Sequence, residues 1–497
     1  MNYSELTVFI LYLLAMLCIG IYFFAKSKGG EKEFFLGNRE MGPWVSALSA
    51  GASDMSAWVL MGLPASIYAF GMGQTWIAIG LAIGYILSWV FLAPRLRRFS
   101  IVANDSITLP QYLTNRFLSK NKALQVICAI IFLFAYTIYA ASSIKACGTL
   151  FNTVLGINAT VAMFVDAAII VGYTFLGGYK AVCWTDFFQG MLMLGALLLA
   201  PIFALVLMQS GSGAVGAGGA GAAGSALFPA NYWNFLSSGK LNWQSFADIL
   251  SGLGWGLGYF GMPHIIIRFM AIRSNKDVKK GAVIGIAWNL LILVFSVAAG
   301  SIGRLFLGEI ADSSVVFITM VRMIFPAVIS GILLSAILAA AMSTADSQLL
   351  VSASAFAADV YRPVLRKKAA DKEMFWAGRI VVVVISVVAV IIAANPGSGT
   401  IMDLVGNAWG VFGAAFGPAI LLSVFWKRFT FAGAIAGIVG GAAADIIWLA
   451  AFSSTGLYEI IPGFAVGLIA AVAVTLLSKK PDKAVEALYH RSVTMHD

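Results

Sequence analysis

The chain has 497 residues, of which 60% are hydrophobic and only 11% are charged. Soluble globular proteins carry about 25% charged residues, because their surface faces water. A chain with so few charges cannot cover itself in water, so the composition excludes soluble enzymes, nucleic-acid-binding proteins and disordered scaffolds. It predicts an all-α integral membrane protein.

Thirteen apolar segments are long enough to cross a bilayer, since roughly 30 Å of hydrocarbon takes about 20 helical residues. The first segment has neither a basic flank before it nor a small-residue cleavage site, so it is predicted to be a retained helix and not a signal peptide. In chain order, the predicted spans cover residues 6–25, 44–65, 74–94, 124–150, 158–177, 187–208, 246–269, 281–304, 314–347, 377–394, 400–425, 430–452 and 459–477.

The positions of the basic residues predict the orientation of the chain. When successive loops are assigned to alternate sides, nearly all of the 32 Lys and Arg residues fall on one side. Cytoplasmic loops of membrane proteins carry such an excess. The N-terminus is therefore predicted to lie outside and the C-terminus in the cytoplasm. The net charge of +10 then needs no nucleic-acid partner.

Two segments outside the spans have distinct compositions. Residues 210–225 are almost entirely Gly, Ala and Ser, and they predict a flexible connector within an outer loop at 209–245. Residues 478–497 follow the last span and are predicted to form a polar cytoplasmic tail, which is too short for a signalling domain.

Span two contains a run of small and hydroxyl residues, Ser49–Trp58, with Asp54 among them. Charged side chains at bilayer depth usually face a cavity or a partner. A helix break inside a membrane is tolerated where the freed backbone lines such a cavity. Freed carbonyls and hydroxyls together suit an alkali cation. Close packing through small residues is the alternative interpretation.

Span seven contains five glycines and a proline between Ser251 and Pro263, so a continuous straight helix is not expected there. Trp255, Tyr259 and Pro263 recur every four residues and would share one face of a helix. An aromatic wall beside small residues suits a compact apolar ligand. The alternative is an interfacial aromatic belt, although a belt would lie at the ends of the span.

Span nine places Ala340, Ser343 and Thr344 on one helical face, at spacings of three and four residues. Two neutral hydroxyls beside a helix carbonyl can supply part of the oxygen shell of a sodium ion. Hydrogen bonds from the hydroxyls back to the preceding helical turn are the alternative.

Four motifs, three of them in these segments, resemble the sodium/solute symporter family. The resemblance extends from the first span to the last, and within the family the motifs are most similar to bacterial members that transport proline. The motifs cover Ala47–Pro64, Gly177–Gln189, Trp255–Phe269 and Ala339–Leu349.

The resemblance implies a leucine-transporter-like core of two inverted five-helix repeats. The repeats would cover residues 44–208 and 246–425, with an extra N-terminal helix at 6–25 and extra C-terminal helices at 430–477. The first helix of each repeat is broken in this fold. These are spans two and seven, where the sequence itself already disfavours a continuous helix.

The resemblance also implies a sodium site between spans two and nine. It assigns Asp54 an electrostatic role near the ion and Asp186 a place on the route of sodium to the cytoplasm. For Asp186, a carboxylate stabilised at a helix N-terminus is the alternative. The implied sodium ligands are the backbone carbonyls of Ala52, Met55 and Ala340 and the hydroxyls of Ser343 and Thr344.

A substrate site follows from the same resemblance. A proline ring would pack on aromatic side chains, while its charged groups would meet the exposed backbone of a broken helix. Related proteins usually have Gly at the position of Ala57 and Gln at the position of Met262, which bears on affinity and on the choice of amino acid. The implied substrate residues are Ser56, Ala57, Tyr139, Trp255, Tyr259 and Pro263.

The function that the resemblance implies is electrogenic, sodium-coupled uptake of L-proline by alternating access across a bacterial cytoplasmic membrane. It implies neither an enzyme nor an obligatory protein partner. Three alternatives remain: another cargo such as a monocarboxylate, pantothenate, a sugar or another amino acid; proton coupling; and a transporter-like sensor or passive channel. The hydroxyls of Ser343 and Thr344 are poor proton carriers, which favours sodium.

Overall fold

A computed structural model describes residues 3–26, 31–210 and 228–495. Within these residues the chain is helical, and the only β-type pairing is an isolated bridge between Met41 and Ile272. Residues 211–225 of the predicted Gly/Ala-rich connector lie outside the described residues.

The helices vary from single turns to long membrane-crossing rods. In chain order they are α1 (Tyr3–Lys26), α2 (Glu31–Leu36), α3 (Pro43–Asp54), α4 (Gly62–Phe70), α5 (Thr75–Leu87), α6 (Ala93–Val102), α7 (Leu109–Arg116), α8 (Ala123–Leu155), α9 (Ala159–Gln209), α10 (Trp243–Gly254), α11 (Pro263–Ala271), α12 (Asn275–Leu307), α13 (Val316–Ile324), α14 (Ala327–Ser354), α15 (Asp371–Ala394), α16 (Ile401–Phe425), α17 (Phe431–Phe452), α18 (Ile460–Leu477) and α19 (Lys483–Thr494).

Ten helices in the described part of the chain are long and apolar enough to cross a bilayer. They correspond to predicted spans one, three, four, six and eight to thirteen. Span five is a shorter apolar helix at Ala159–Gly172, and spans two and seven are broken into pieces. The all-helical membrane fold is thus confirmed, while the count of thirteen spans and the orientation of the termini stay predictions.

Span nine begins later than predicted. The predicted segment 314–347 is divided by Pro326, which lacks an amide hydrogen and holds Phe325 in extended backbone before α14 starts. At its other end α14 runs on through a π-helical segment, Ala355–Leu365. The start of α14 is therefore set by the proline and not by the hydropathy of the segment.

Span two breaks after Asp54. Met55 and Ser56 leave helical geometry, and the Ser56 side chain accepts a hydrogen bond from the Trp58 amide to start a 3₁₀ turn, Ala57–Val59. The Ser56 amide donates to the carbonyl of Asp54, 2.9 Å away, and not to that of Ala52 four residues back. The Ala52 carbonyl is therefore left free for another donor or a cation.

Span seven also breaks, in the way that its glycines and proline predict. Helix α10 passes into a 3₁₀ segment, Trp255–Phe260, and α11 begins at Pro263, where a missing amide hydrogen costs nothing. We call Trp255–Phe260 the aromatic segment, because it carries the predicted substrate wall.

The backbone of span seven touches that of α5 through glycines. A methyl group on Gly80 would lie 2.2 Å from the Gly252 carbonyl oxygen, and one on Gly84 would lie 2.2 Å from that of Gly256. The π-helical segment Ser88–Leu92 joins α5 to α6. In α6, Arg97 donates to the carbonyls of Ile272 and Arg273 just after α11, at 2.7 and 2.6 Å. Span three is thus attached to span seven at two levels.

Helix α9 contains a break at Gly178, whose φ of 58° lies in the left-handed region that favours glycine. This break separates predicted spans five and six within one assigned helix of 51 residues. A glycine at the turn spares the cost that a side chain would impose there.

The predicted polar tail contains a helix, α19, that packs against α6 and α7 and hydrogen-bonds to the end of α16. From α19, the Tyr489 hydroxyl donates to the Phe425 carbonyl at 3.1 Å. From α7, buried Arg116 donates to the Ser423 carbonyl at 2.9 Å. Both satisfy backbone groups that a helix end leaves without partners. Composition alone did not predict this helix.

Candidate functional site

The predicted sodium ligands come together where α3 ends beside the middle of α14. The Ser343 hydroxyl lies 2.8 Å from the carbonyl oxygen of Ala52 and 3.1 Å from that of Ala340. Thr344 is fully buried, and its hydroxyl has no hydrogen-bond partner among the described residues. Met55 is the C-cap residue of α3. We call these five residues the oxygen set.

The oxygen set fits sodium chemically. Its groups are neutral carbonyl and hydroxyl oxygens, the ligands that hard cations prefer. A buried hydroxyl without a partner is costly unless a ligand supplies the missing interaction. Thr344 is such a hydroxyl, and it lies one residue from Ser343.

Asp54 lies between the oxygen set and the aromatic segment. Its side chain is fully buried, and its Oδ2 accepts a hydrogen bond of 2.5 Å from the Tyr259 hydroxyl. Its Oδ1 has no partner among the described residues. Its backbone carbonyl accepts from Trp58 Nε1 at 3.3 Å and from the Tyr139 hydroxyl at 3.4 Å. Asp54 therefore joins the two broken helices directly.

The aromatic segment forms one wall of the site. Trp255 lies 6.3 Å from Trp58, ring centre to ring centre, and Tyr259 packs edge-to-face on Tyr85 at 5.2 Å. Trp255, Tyr259, Ser56 and Ala57 are buried. The site is thus enclosed between the broken helices, and its walls are mainly aromatic.

The floor of the site is formed where α11 meets α8. Pro263 is the first residue of α11, and the Tyr136 hydroxyl accepts from the His264 amide at 2.9 Å. Tyr139 lies one turn further along α8 and reaches the Asp54 carbonyl. The structure thus brings the predicted substrate residues to the same pair of breaks as the oxygen set.

Asp186 belongs to a separate buried network. Its Oδ2 accepts from the Ser49 hydroxyl at 2.6 Å and pairs with Arg268 Nη2 at 3.1 Å, with both charged side chains at most 1% exposed. Arg268 also donates to the His264 carbonyl at 2.6 Å and to the Ser347 hydroxyl. Asp186 lies two turns beyond the break at Gly178, so the helix-terminus interpretation does not describe it.

Arg268 has a charged partner that no local pattern predicts. The structure buries it in α11 against a carboxylate. The two residues are 82 positions apart in the chain, so hydropathy carries no information about the pair.

Three of the other charged residues within the predicted spans make contacts outside the oxygen set. Asp403 forms a capping box with Thr400 at the start of α16. Lys145 donates to the Ser398 hydroxyl at 3.2 Å. Asp445 is buried, its carboxylate has no partner among the described residues, and it lies against the Gly410 backbone. None of the three contacts the oxygen set in the described hydrogen bonds.

A sequence profile of the sodium:solute symporter family matches residues 34–441. The chain belongs to the sodium:solute symporter family. This confirms the resemblance on which the site residues were assigned, and it makes the chain a member of a transporter family and not an enzyme.

Curated relatives of this family member align over nearly their whole length. The osmoregulated proline transporter OpuE of Bacillus subtilis is 43% identical over 485 residues, covering 96% of each chain. The high-affinity proline transporter PutP of the same species is 42% identical, covering 95% of this chain and 97% of the relative. The sodium/proline symporter of Staphylococcus aureus is 41% identical, covering 98% and 95%.

Solved structures share the fold at low sequence identity. A substrate-bound, outward-open Na⁺-coupled sialic acid symporter has a TM-score of 0.79 at 19% identity, covering 97% of this chain and 99% of its own. The transporter MhsT in complex with L-phenylalanine has a TM-score of 0.55 at 14% identity, covering 87% and 97%. These likenesses establish a transporter fold for this symporter-family chain.

Trp409 contacts the aromatic segment, and the sequence analysis missed it. It lies in α16, where it is 1% exposed, and its indole nitrogen donates to the Trp255 carbonyl at 2.7 Å. In the sequence it is one apolar residue within an apolar span. The contact is visible only in the structure, where a methyl group on Gly258 would lie 1.9 Å from Trp409 Nε1.

Proposed function

We propose that the protein is a secondary transporter that takes up L-proline together with sodium across the bacterial cytoplasmic membrane. The observation that carries the proposal is the Asp54–Tyr259 hydrogen bond, because it joins the oxygen set to the aromatic segment at one buried point. The names of three relatives at 41–43% identity supply the cargo.

Sodium would be held by the oxygen set. In the structure the Ser343 hydroxyl donates to the carbonyls of Ala52 and Ala340. When sodium arrives, these same oxygens turn their lone pairs to the ion, with the carbonyl of Met55 and the hydroxyl of Thr344 completing the set. The ion would thereby fasten α3 to α14, and the negative charge of Asp54 would favour its approach.

Proline would lie against the aromatic segment. Its ring packs on Trp255 and Tyr259, with Ser56, Ala57, Tyr139 and Pro263 completing the site. Its carboxylate meets the amides freed by a helix break, and its ammonium meets freed carbonyls. Another small solute is the second candidate, because the resemblance implies Gly at Ala57 and Gln at Met262. This chain has an extra methyl group at the first position and a thioether in place of an amide at the second.

Transport would proceed by alternating access. Sodium and proline bind together between the broken helices, the outer side closes, and both leave into a cytoplasm that is low in sodium. Thirteen spans with two inverted repeats, the N-terminus outside and the C-terminus inside are part of this proposal. Asp186 would lie on the inward route of sodium, beside the network of Ser49 and Arg268.

The test is uptake of radiolabelled proline into proteoliposomes that contain the purified protein. We expect an inward sodium gradient to drive accumulation, and an equal potassium gradient or liposomes without protein to give none. Equal uptake with and without the sodium gradient would refute sodium coupling. Unlabelled pantothenate, lactate and other amino acids, added in excess, test the cargo: inhibition stronger than that by unlabelled proline would show that proline is not the preferred substrate.

A further inference from the structure

Trp409 makes two kinds of contact with the aromatic segment. Its indole nitrogen donates to the Trp255 carbonyl at 2.7 Å, and its ring packs edge-to-face on Tyr259 with centres 5.2 Å apart. Gly258, between these two residues, has no side chain, and the space is filled by the indole. Trp409 is thus fitted to the first five residues of the segment.

The aromatic segment needs such a support. It is 3₁₀-helical, it contains Gly256 and Gly258, and glycines follow and precede it, so its backbone has little intrinsic preference for one conformation. At a helix break the carbonyls lose their helical partners and need others when buried. The indole of Trp409 adds a hydrogen bond to the Trp255 carbonyl, at the start of this segment.

Tyr259 connects the aromatic segment to the helix that carries part of the oxygen set. Its hydroxyl donates to Asp54 Oδ2 at 2.5 Å, and Asp54 ends the same helix whose Ala52 carbonyl meets Ser343. A continuous series of contacts therefore runs from α16 through the aromatic segment and α3 to α14.

We propose that Trp409 is a positioning residue of the transport site, which holds the aromatic segment so that Tyr259 can reach Asp54. This inference rests on the proposed function for its effect on transport. Without the indole hydrogen bond the segment samples other positions, proline loses part of its wall, and Asp54 loses the donor that ties the wall to the sodium side.

The transport test compares Trp409→Phe, Tyr259→Phe and the double variant in proteoliposomes. Each single variant should raise the KM for proline about tenfold, as loss of one buried hydrogen bond predicts, and should leave the maximal rate within about twofold. Because both bonds act through one segment, the double variant should raise KM by much less than the product of the single effects. Multiplying effects, or an unchanged KM in Trp409→Phe, would overturn the proposal.

A matched control removes an indole hydrogen bond elsewhere. Trp448 Nε1 donates to the Leu457 carbonyl at 3.1 Å from a partly buried position on α17. Trp448→Phe makes the same chemical change as Trp409→Phe and should leave the KM for proline unchanged. A rise equal to that of Trp409→Phe would show a general effect of losing an indole donor and would overturn the specific role.

A second measurement does not depend on the cargo. Hydrogen–deuterium exchange of the ligand-free protein in detergent should be faster in Trp409→Phe over peptides covering Trp255–Met262 and Asp54–Trp58, and unchanged in Trp448→Phe. Wild-type protection in both peptides would overturn the positioning role. If wild-type protein shows no sodium-driven proline uptake but the exchange differs as expected, the proposed function fails while the role of Trp409 stands. Gly258→Ala, which forces a methyl group onto the indole, should give the same exchange pattern if Trp409→Phe does not fold.

Discussion

Ser343 is the residue on which the sodium proposal depends most directly. Its hydroxyl contacts carbonyl oxygens of two different helices, whereas some other buried serines donate only within their own helix. Ser335, two turns earlier on α14, is an example of the second kind: it donates to the Gly331 carbonyl at 2.8 Å. The two serines are chemically equal and differ in what they connect.

We predict that Ser343→Ala or Thr344→Ala raises the sodium concentration for half-maximal proline uptake about tenfold, because each removes one oxygen worth about 1–3 kcal/mol when buried. Proteoliposome uptake as a function of sodium concentration measures it. Ser335→Ala is the control, and it should leave the sodium dependence unchanged. Unchanged sodium dependence in both Ser343→Ala and Thr344→Ala would remove the oxygen set as the ion site.

At the scale of single residues, the sequence predicted the groups but not their pairings. Asp54 stood out because a charge inside an apolar span is costly, and Ser343 and Thr344 stood out by helical spacing. The bond between Asp54 and Tyr259 joins residues 205 positions apart, and no local pattern encodes it. Trp409 could not be predicted as a contact of the site, because a tryptophan in an apolar span is ordinary.

At the scale of helices, glycines decide how closely spans three and seven approach. Gly84 faces the Gly256 carbonyl at a distance that excludes any side chain, whereas Gly195 on α9 has no atom within 4 Å of an added methyl group. The same substitution, Gly to Ala, therefore has opposite consequences at the two positions. Helix propensity favours Ala by about 1 kcal/mol at both.

We predict that Gly84→Ala lowers stability by about 1–3 kcal/mol, the usual cost of overpacking, because the clash outweighs the gain in propensity. Thermal unfolding of the purified protein in detergent should show a lower midpoint for Gly84→Ala. Gly195→Ala should unfold at the wild-type midpoint or slightly above it. Equal midpoints for the two variants would contradict the close contact between the backbones.

Helix breaks were the best-predicted elements, and helix ends the worst. Glycines and Pro263 marked the break in span seven, and the small polar run marked that in span two, because both features oppose a continuous helix. Hydropathy could not place the start of α14 after Pro326, since apolar residues lie on both sides of it. Nor could it show that α19 folds, because that helix packs against α6 and α7, which are distant in the sequence.

At the scale of the whole molecule, the proposed transport moves charge. One sodium ion carried with a zwitterionic proline transfers one positive charge, and a potential of 100 mV is worth about 2.3 kcal/mol to it. This energy corresponds to about a 50-fold increase in the accumulation ratio. The neutral oxygen set fits this count, because no proton has to leave it when sodium enters.

We predict that an inside-negative potential stimulates sodium-driven proline uptake by proteoliposomes. A potassium diffusion potential set with valinomycin tests it at a fixed sodium gradient. Omitting valinomycin is the control and should give slower, lower accumulation. Uptake that ignores the potential would show electroneutral transport and contradict one sodium per proline without a counter-ion.

The double attachment of span three to span seven offers a way to measure conformational change in this protein. Backbones touch at Gly80 and Gly84, and Arg97 holds the far end through the carbonyls of Ile272 and Arg273. Helices so joined cannot slide past one another without breaking both levels of contact. Two spectroscopic labels, one on each of these spans, should therefore keep a constant distance. That distance serves as a reference against which the displacement of every other helix can be measured.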